Sequence, residues 1–448
     1  MSKHLYSDII VPINEDNLCI KRNFENCIIC GACKNICMHK ASVSGNYDLE
    51  KTGDNAICTG CGQCMIACPV EAITEVKDYL SVKKVLSDKS KTVIFQTAPA
   101  VRTALGDEFG INPKDITGQM VTALKKLGAS YVLDTTVGAD ITIMEETTEL
   151  INNLGKKTMF TSCCPAWVKY VEYFKPELIN NISTTKSPIS IFSTIIKTYL
   201  KDKYNLNNIV VVALVPCTAK KGEIKRDELM DSSKYNKEDK YYDTDYAITV
   251  KELCNMLMDE NIDIHNLDKS DFDNLITSKT GGSYLFGQTS GVATSAIREI
   301  YKRETGLYLD EVNFTENEDI HNLFEYNLNV NGKTIKVAKI TGMSNVNKLL
   351  DKISNNEIHY DFVEVMSCDL GCVGGAGMPK IDPIKLEETR LKRQEILKKL
   401  DMKTKIKVCS DNEDIKALYN EFLVNDNIKE DLLHTSYVDR SSDLNINN

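Results

Sequence analysis

Short apolar runs alternate with longer amphipathic stretches along most of this chain. The apolar runs are rich in Val and Ile, whereas 118–127 and 145–154 have helical periodicity. This alternation predicts an α/β fold in which helices connect mostly parallel strands. The predicted strands are 92–96, 130–134, 158–162, 209–215, 245–250, 335–340 and 362–366.

Three polar segments interrupt this pattern. The stretch 83–91 is short and polar, and it predicts a hinge between a domain at 1–85 and a second domain at 86–448. The charged stretch 231–243 predicts a solvated surface loop. Segment 386–400 is rich in Lys, Glu and Leu, and it predicts a surface helix.

Two runs of identical spacing in the first domain hold half of the chain's 16 cysteines. Each run reads Cys-x2-Cys-x2-Cys-x3-Cys, and Pro69 follows the second run. This is the spacing of bacterial ferredoxins with two [4Fe–4S] clusters, in which the fourth cysteine of each run binds the other cluster. Cys-x2-Cys pairs also bind zinc, but the tandem arrangement favours clusters. The predicted ligand sets are Cys27, Cys30, Cys33 and Cys68 for one cluster, and Cys58, Cys61, Cys64 and Cys37 for the other.

Composition and charge narrow the class of protein. The chain has 448 residues, which is enough for two or three domains, and its net charge of −10 argues against a general nucleic-acid binder. The first residues lack the basic and apolar regions of a secretion signal. No apolar run reaches the roughly 20 residues that cross a bilayer. We therefore expect a cytoplasmic protein with no nucleic-acid or membrane partner.

Four more cysteines lie in three motifs far apart in the sequence. Cys164 lies in Thr-Ser-Cys-Cys-Pro-Ala-Trp at 161–167, and Cys217 lies in Pro-Cys-Thr-Ala-Lys-Lys-Gly-Glu at 216–223. Cys368 and Cys372 precede a glycine-rich run at 373–379. Each motif follows a predicted strand, where α/β folds gather their chemistry. Four thiolates from three loops can hold one cubane cluster.

Together these segments resemble the three signature motifs of the [FeFe]-hydrogenases. The resemblance implies a two-lobed α/β catalytic domain, with mostly parallel sheets around a buried H-cluster, and a small α+β domain like a bacterial ferredoxin. The H-cluster would be a cubane on Cys164, Cys217, Cys368 and Cys372, bridged through Cys372 to a two-iron subcluster with CO, cyanide and azadithiolate ligands. The enzyme would interconvert protons and H₂. Ferredoxin or another low-potential carrier would exchange electrons with the two N-terminal clusters.

The same resemblance implies which residues surround the two-iron subcluster. Lys220 would hold one cyanide, because a buried ammonium requires an anionic partner. The segment Ala98-Pro99-Ala100 would offer backbone N–H groups to the other cyanide. The pocket would also be lined by Met366 and Phe286, although residues of these types, taken singly, more often belong to the plain core. Glu223 also matches a carboxylate near the site.

A proton relay is implied by four further matches: Cys163, Glu146, Ser183 and Glu149. The two glutamates are three positions apart, on one face of a helix that is predicted to begin near Met144. Alone, such a pair would indicate a solvated helix face. The match to the family favours a relay.

Several positions depart from the family pattern although every metal ligand is retained. Asn153 stands where an arginine can close the outer end of the relay. Changes around a cofactor tune its potential and rate, so the preferred direction of catalysis stays open. The other departures are Ala100, Ala166, Ile189, Val215, Ala376 and Met378.

Two other functions have to be weighed against a hydrogenase. An H₂ sensor would use the same cofactor, and an iron–sulfur assembly protein would share the fold without the two-iron subcluster. An assembly protein has no need of the relay residues and Lys220 as a set, so the sequence favours the enzyme. Cys19, Cys254 and Cys409 are assigned no function and are predicted to be small buried hydrophobes.

Overall fold

The computed structural model describes residues 4–309 and 311–446, so the outermost residues of both predicted domains lie outside it. Within the described residues the strands form two larger sheets and one two-stranded pair. The strands are β1 (Ile20–Arg22), β2 (Ile73–Glu75), β3 (Thr92–Thr97), β4 (Tyr131–Asp134), β5 (Met159–Phe160), β6 (Ile209–Val215), β7 (Tyr246–Thr249), β8 (Thr315–Glu316), β9 (Leu323–Val330), β10 (Lys333–Thr341) and β11 (Phe362–Met366).

Helices cover both larger sheets and connect their strands. The α-helices are α1 (Ala32–His39), α2 (Gln63–Ala67), α3 (Tyr79–Ser87), α4 (Val101–Phe109), α5 (Pro113–Lys126), α6 (Thr136–Asn153), α7 (Pro165–Phe174), α8 (Pro188–Ile195), α9 (Lys201–Tyr204), α10 (Ala219–Glu223), α11 (Asp231–Asn236), α12 (Val250–Asp259), α13 (Gly281–Leu285), α14 (Gly291–Thr305), α15 (Met343–Ser354), α16 (Leu386–Lys403), α17 (Glu413–Glu421) and α18 (Asp426–Leu433).

The first lobe is built on a four-stranded sheet in the order β4-β3-β6-β7, and every pair in it is parallel. Its central strands are almost wholly buried, as expected for a parallel sheet with helices on both faces. All four strands were predicted from the apolar runs, with ends that differ by at most one residue. The α/β prediction is confirmed for this lobe.

The second lobe contains a mixed sheet in the order β5-β11-β10-β9-β8. Strands β5, β11 and β10 are parallel, whereas β9 and β8 are antiparallel to their neighbours. The hairpin of β9 and β10 turns at Asn331-Gly332, where both residues have positive φ. Strand β9 was not predicted. Asn-Gly is a strong hairpin signal, so the sequence did contain evidence for a strand on either side of this turn.

The predicted hinge at 83–91 is wrong. Helix α3 occupies most of it, and its Tyr79, Val82 and Leu86 are buried in the core beneath the four-stranded sheet. Lysines and serines between these apolar positions masked the helical period. The N-terminal segment also contains the antiparallel pair β1–β2 beside α1 and α2, which is a small α+β arrangement.

The predicted surface loop at 231–243 is mostly exposed from 234 to 240, but the prediction is wrong for its two ends, which are buried. Helix α11 begins it, and the carboxylates of Asp231 and Asp243 lie 2.7 and 3.2 Å from Lys186 Nζ. All three side chains are at most 9% exposed. Polar residues can be buried when they pair in this way, so polarity alone misled the prediction.

The predicted helix at 386–400 is confirmed as α16, but one face of it is buried. Arg390 and Arg393 donate to the carbonyls of Gly374 and Val373, so this helix covers the glycine-rich run. The prediction that Cys19, Cys254 and Cys409 are buried is confirmed. Among the described residues, none of the helices combines the length and apolarity that crossing a bilayer requires.

The buried cluster of Lys186, Asp231 and Asp243 generates a stability prediction. Asp243→Ala should lower the free energy of unfolding by about 3–5 kcal/mol, because it leaves a buried ammonium with one carboxylate. The matched control is Glu238→Ala, which breaks the more exposed pair with Lys201 and should cost less than about 1 kcal/mol. Urea denaturation followed by circular dichroism measures both. Equal losses of unfolding free energy in the two variants would show that the buried cluster contributes no more to stability than the exposed ion pair.

Candidate metal centre and proton relay

Two small cavities in the N-terminal segment are lined by cysteines. One is lined by Cys27, Cys30, Cys33 and Cys68, and the other by Cys37, Cys58, Cys61 and Cys64. These are the two predicted ligand sets, with the fourth cysteine of each run crossing to the other set. Within the described part of the chain, no three His, Cys, Asp or Glu side chains are arranged to hold a single metal ion.

Donor groups point at the sulfurs that line these cavities. The N–H of Val11 and the guanidinium of Arg22 each lie 3.4 Å from Cys33 Sγ. The Gly60 N–H lies 3.3 Å from Cys58 Sγ, at a residue whose φ of 73° favours glycine. Such hydrogen bonds stabilise the negative charge of cluster thiolates. The donor set therefore fits [4Fe–4S] clusters.

The second cavity borders the three motifs that contain Cys164, Cys217, Cys368 and Cys372, which we call the catalytic motifs after their predicted role. A Cβ on Gly62 would lie 2.5 Å from the side chains of Ala376 and Thr218, so the two segments meet there without a gap. The Gln63 side-chain amide lies 3.3 Å from Cys368 Sγ. Charge interactions of Cys368 with Cys61 add to the effect of burial in raising the pKa of Cys368. The two predicted cluster sites are therefore immediate neighbours.

The four cysteines of the catalytic motifs meet between the two lobes. Cys164 follows β5 at the start of α7, Cys217 lies between β6 and α10, and the other two follow β11. Burial raises the pKa of all four thiols, and their mutual charges raise it further for Cys217, Cys368 and Cys372. Only a bound cationic group would make four adjacent thiolates stable here, which fits a cubane.

The start of helix α7 is arranged to favour one of these thiolates. The N–H groups of Ala166, Trp167 and Ser367 point toward the Cys164 sulfur, and they partly offset the effect of burial on its pKa. Pro165 occupies the first helical position, where a missing N–H has no cost. The local sequence thus builds the donor site for Cys164.

The glycine-rich run packs against protein rather than opening space for a cofactor. A Cβ on Gly375 would lie 2.2 Å from the Pro216 carbonyl oxygen, and the Gly377 N–H donates to that oxygen at 2.9 Å. The close approach joins the loop of Cys372 to the loop of Cys217.

Lys220 is almost buried and has three partners within the chain. Its Nζ lies 2.6 Å from Glu223 Oε2, 2.9 Å from Ser187 Oγ and 3.2 Å from the Cys163 carbonyl oxygen. Burial by itself would lower the pKa of Lys220, but the Glu223 carboxylate raises it. The sequence argument required an anionic cofactor for this ammonium, whereas Glu223 already supplies the anion.

The remaining predicted pocket residues lie at strand and helix ends around the thiols. The segment Ala98-Pro99-Ala100 lies between β3 and α4. Its Ala98 N–H already donates to the Leu214 carbonyl at 3.0 Å. Proline has no N–H, so only Ala100 is left for the predicted role. Met366 and Phe286 lie in one apolar cluster that contacts Cys163 and Cys164.

The four predicted relay residues are neighbours in the structure. Ser183 Oγ donates to Glu149 Oε2 at 2.7 Å. Glu146 is 1% exposed, and burial together with the charge of Glu149 raises the pKa of Glu146 to about 8. Among the described residues neither of its carboxylate oxygens has a hydrogen-bond partner at normal distance, although Ser183 and the Ser162 N–H face it. Burial and Glu146 in turn raise the pKa of Cys163.

Helix α6, which carries both glutamates, begins at Thr136 rather than near Met144. Asn153, at its end, donates to the Glu149 backbone carbonyl at 2.8 Å. Two further residues were not predicted from the sequence: Thr184, whose N–H lies 3.0 Å from Glu149 Oε2, and His434, which contacts Thr184. No local pattern marks a histidine 250 positions away from its partner.

The other departures from the family pattern are all buried. Ile189 and Val215 pack in one small core cluster, and Ala376 lies against Gly62. Ala166 and Met378 belong to the cores of the second and first lobes. These residues therefore shape the walls around the site through packing rather than through hydrogen bonds.

Comparison with protein families defines the class to which this site and fold belong. Residues 91–376 match the C-terminal domain of the iron-only hydrogenase large subunit, and residues 387–440 match the iron hydrogenase small subunit. Residues 52–74 match the 4Fe-4S binding domain. The chain belongs to the iron-only hydrogenase family.

Individual relatives agree with this assignment. The NADP-reducing hydrogenase subunit HndD of Solidesulfovibrio fructosivorans is 33% identical over 94% of this chain and 75% of its own length. Iron hydrogenase 1 of Clostridium pasteurianum is 35% identical over 82% of this chain and 66% of its own length. The structure of an apo [FeFe]-hydrogenase from Chlamydomonas reinhardtii is 31% identical, with a TM-score of 0.71, covering 81% of this chain and 99% of that one.

Assembly proteins are also similar to this chain, at lower identity. The cytosolic Fe-S cluster assembly factor narfl of Danio rerio is 27% identical over 79% of this chain and 88% of its own length. The family is therefore shared by enzymes and by assembly factors.

The packing of the glycine-rich run on Pro216 generates the second prediction. Gly375→Ala should displace the Cys217 loop and lower the iron content by about four atoms per chain, the content of one cubane. The backbone of Gly375 has φ −66°, which alanine adopts freely, so the effect would be steric. Gly45→Ala is the control, since its Cβ would meet only the Met38 side chain at 3.7 Å. Iron analysis giving equal content in both variants would contradict the prediction.

Proposed function

We propose that this protein is an [FeFe]-hydrogenase that catalyses 2H⁺ + 2e⁻ ⇌ H₂. The observation that carries the proposal is the line of Cys163, Glu146, Ser183 and Glu149, which runs from the four catalytic-motif thiols toward the surface. A merely structural role would not need Glu146, a buried carboxyl without a hydrogen-bond partner at normal distance, beside a buried thiol.

The cofactor assignment follows from the donor sets. Cys164, Cys217, Cys368 and Cys372 would hold the cubane of an H-cluster, and Cys372 would bridge to the two-iron subcluster. When bound, that group supplies the metal at which protons and electrons combine. Residues 1–85 would form the two-cluster electron-transfer domain and residues 86–448 the catalytic domain. The eight N-terminal cysteines would hold the accessory clusters.

The residues around the two-iron subcluster would orient and enclose it. Lys220 has its ammonium beside Cys163, and Glu223 keeps it charged. One N–H of this ammonium would turn to a cyanide in place of one of its present acceptors. Ala100 would offer a backbone N–H, and Met366 and Phe286 would exclude water from the pocket.

Proton transfer would pass through groups whose protonation suits the task. Glu149 is half-buried and would take a proton from solvent, and Ser183 would pass it to Glu146 through its hydroxyl. With a pKa of about 8, Glu146 carries a proton at neutral pH and can donate it to Cys163. The supply of this donor should fall as the pH rises through about 8.

Electrons would enter at the N-terminal clusters. Cys30 is exposed, so the first cluster site lies near the surface, and the second lies beside Cys368. A ferredoxin or another low-potential carrier is the proposed partner. The direction of electron flow would depend on the potentials of the clusters.

An assembly protein or an H₂ sensor is the alternative function. The assembly relatives are 26–28% identical to this chain, and the hydrogenase relatives 33–37%. The relay and Lys220 favour the enzyme over an assembly protein, since neither has a task without the two-iron subcluster.

The deciding experiment is maturation with the two-iron cofactor, followed by infrared spectroscopy and assay of H₂ evolution with reduced dye. The proposal predicts cyanide and carbonyl bands together with sustained turnover. Bands without turnover would favour a sensor. Absence of bands after successful assembly of three cubanes would favour an assembly protein.

Substitution of Cys163 tests the relay directly. Cys163→Ala should retain iron content and infrared bands while turnover falls by about 10²–10⁴-fold, the usual loss for a proton-transfer group. Cys163→Asp should recover part of the loss, because a carboxylate also carries protons. Cys254→Ala removes a buried thiol elsewhere and serves as the control. Loss of the catalytic cubane in Cys163→Ala would mean that Cys163 is a ligand.

A further inference from the structure

The segment that matches the small subunit is bound to the strand-like stretch that carries the relay serine. His434 forms an antiparallel bridge with Thr185, and the Thr435 N–H donates to the Thr184 carbonyl at 2.7 Å. The Tyr437 hydroxyl donates to the Ser183 carbonyl at 2.5 Å. Residues that lie 250 positions apart are thus held in register at the outer end of the relay.

The His434 side chain lies between two acidic residues of helix α6. Its Nδ1 is 2.8 Å from Thr184 Oγ1, and its Nε2 is 3.3 Å from Glu145 Oε2. The N–H of the same Thr184 donates to the Glu149 carboxylate at 3.0 Å. Only 12% of the histidine side chain is exposed, so solvent screens these interactions weakly.

The surroundings of His434 favour the imidazolium form. Burial by itself would lower the pKa of His434, but the hydrogen bond and charge of Glu145 raise it above the usual value. The Tyr419 hydroxyl also binds Glu145, and Arg303 lies near Tyr419. The charged and titratable groups that face this site are Glu145 and Glu149 from α6, Glu430 from α18, Tyr419 from α17 and Arg303 from α14.

We propose that His434 is a positioning residue for the proton relay: its imidazolium, fixed by Glu145 and Thr184, controls proton exchange at the outer end of the relay. The C-terminal segment would thereby take part in proton transfer as well as in packing. The inference rests on the proposed hydrogenase function. A cation close to acidic groups disfavours their protonated forms, so loss of the cation should let the outer end of the relay take up protons at higher pH.

The first test is the pH dependence of H₂ turnover. His434→Gln should move the profile to higher pH by about one unit, the usual effect of removing a nearby opposite charge. His434→Lys, which retains a positive charge, should bring the profile back toward that of the wild type. The matched control is His321→Gln, an exposed histidine 3.9 Å from Glu316, which should leave the profile unchanged.

A second variant protects the test against loss of folding. Thr184→Val removes the hydroxyl that contacts Nδ1 and leaves the backbone N–H, so it should shift the profile in the same direction by a smaller amount. Circular dichroism and iron content check the fold of each variant. Profiles of folded His434→Gln and Thr184→Val that superimpose on the wild type would overturn the proposal.

The second readout does not depend on activity. Nitrogen NMR of histidine-labelled protein that holds its cubanes but lacks the two-iron subcluster follows the titration of His434. The midpoint should lie above the usual value in the wild type and fall in Glu145→Gln, because the ion pair is lost. A wild-type midpoint below the usual value would overturn the proposal. A raised midpoint in a protein without H₂ turnover would instead reject the hydrogenase function and leave the ion pair standing.

Discussion

The arrangement of the catalytic region depends on bringing four thiols from three loops to one point. Cys164, Cys217, Cys368 and Cys372 follow strands of two different sheets, so the carboxyl ends of both sheets must face each other. The contact of Gly375 with Pro216 sets the distance between two of these loops. Thiols so close together disfavour ionisation unless a cationic cluster joins them, which couples assembly of the metal centre to this packing.

The N-terminal segment packs on the catalytic motifs as closely as Gly375 packs on Pro216. Gly62 meets Ala376 and Thr218, and Gln63 reaches Cys368. Larger residues at these contacts would separate the two neighbouring cluster sites. Under the proposed function, the small residues at these contacts would keep the two clusters close enough for electron transfer.

Several ionisable side chains are buried around this site, and only some of them have a partner of opposite charge. Lys220 is compensated by Glu223, and Lys186 by two aspartates. Glu146 has no such partner, and its pKa rises to about 8 as a result. A carboxyl left without compensation stays protonated at neutral pH, which is unfavourable for packing and suitable for proton transfer.

The sequence by itself determined the strands of the parallel sheet, because apolar runs are local, and the eight N-terminal candidate cluster cysteines, because their spacing is that of two-cluster ferredoxins. The other four candidate cysteines followed from the resemblance of their motifs to those of a known family. The sequence did not predict helix α3 or the burial of Asp231 and Asp243, since both are stabilised by partners distant in sequence. Tertiary structure alone decided that Glu223 neutralises Lys220, that glycines close onto Pro216, and that His434 reaches Thr184. The physical reason is that hydrogen bonds and ion pairs act through space, whereas periodicity and spacing record only neighbours along the chain.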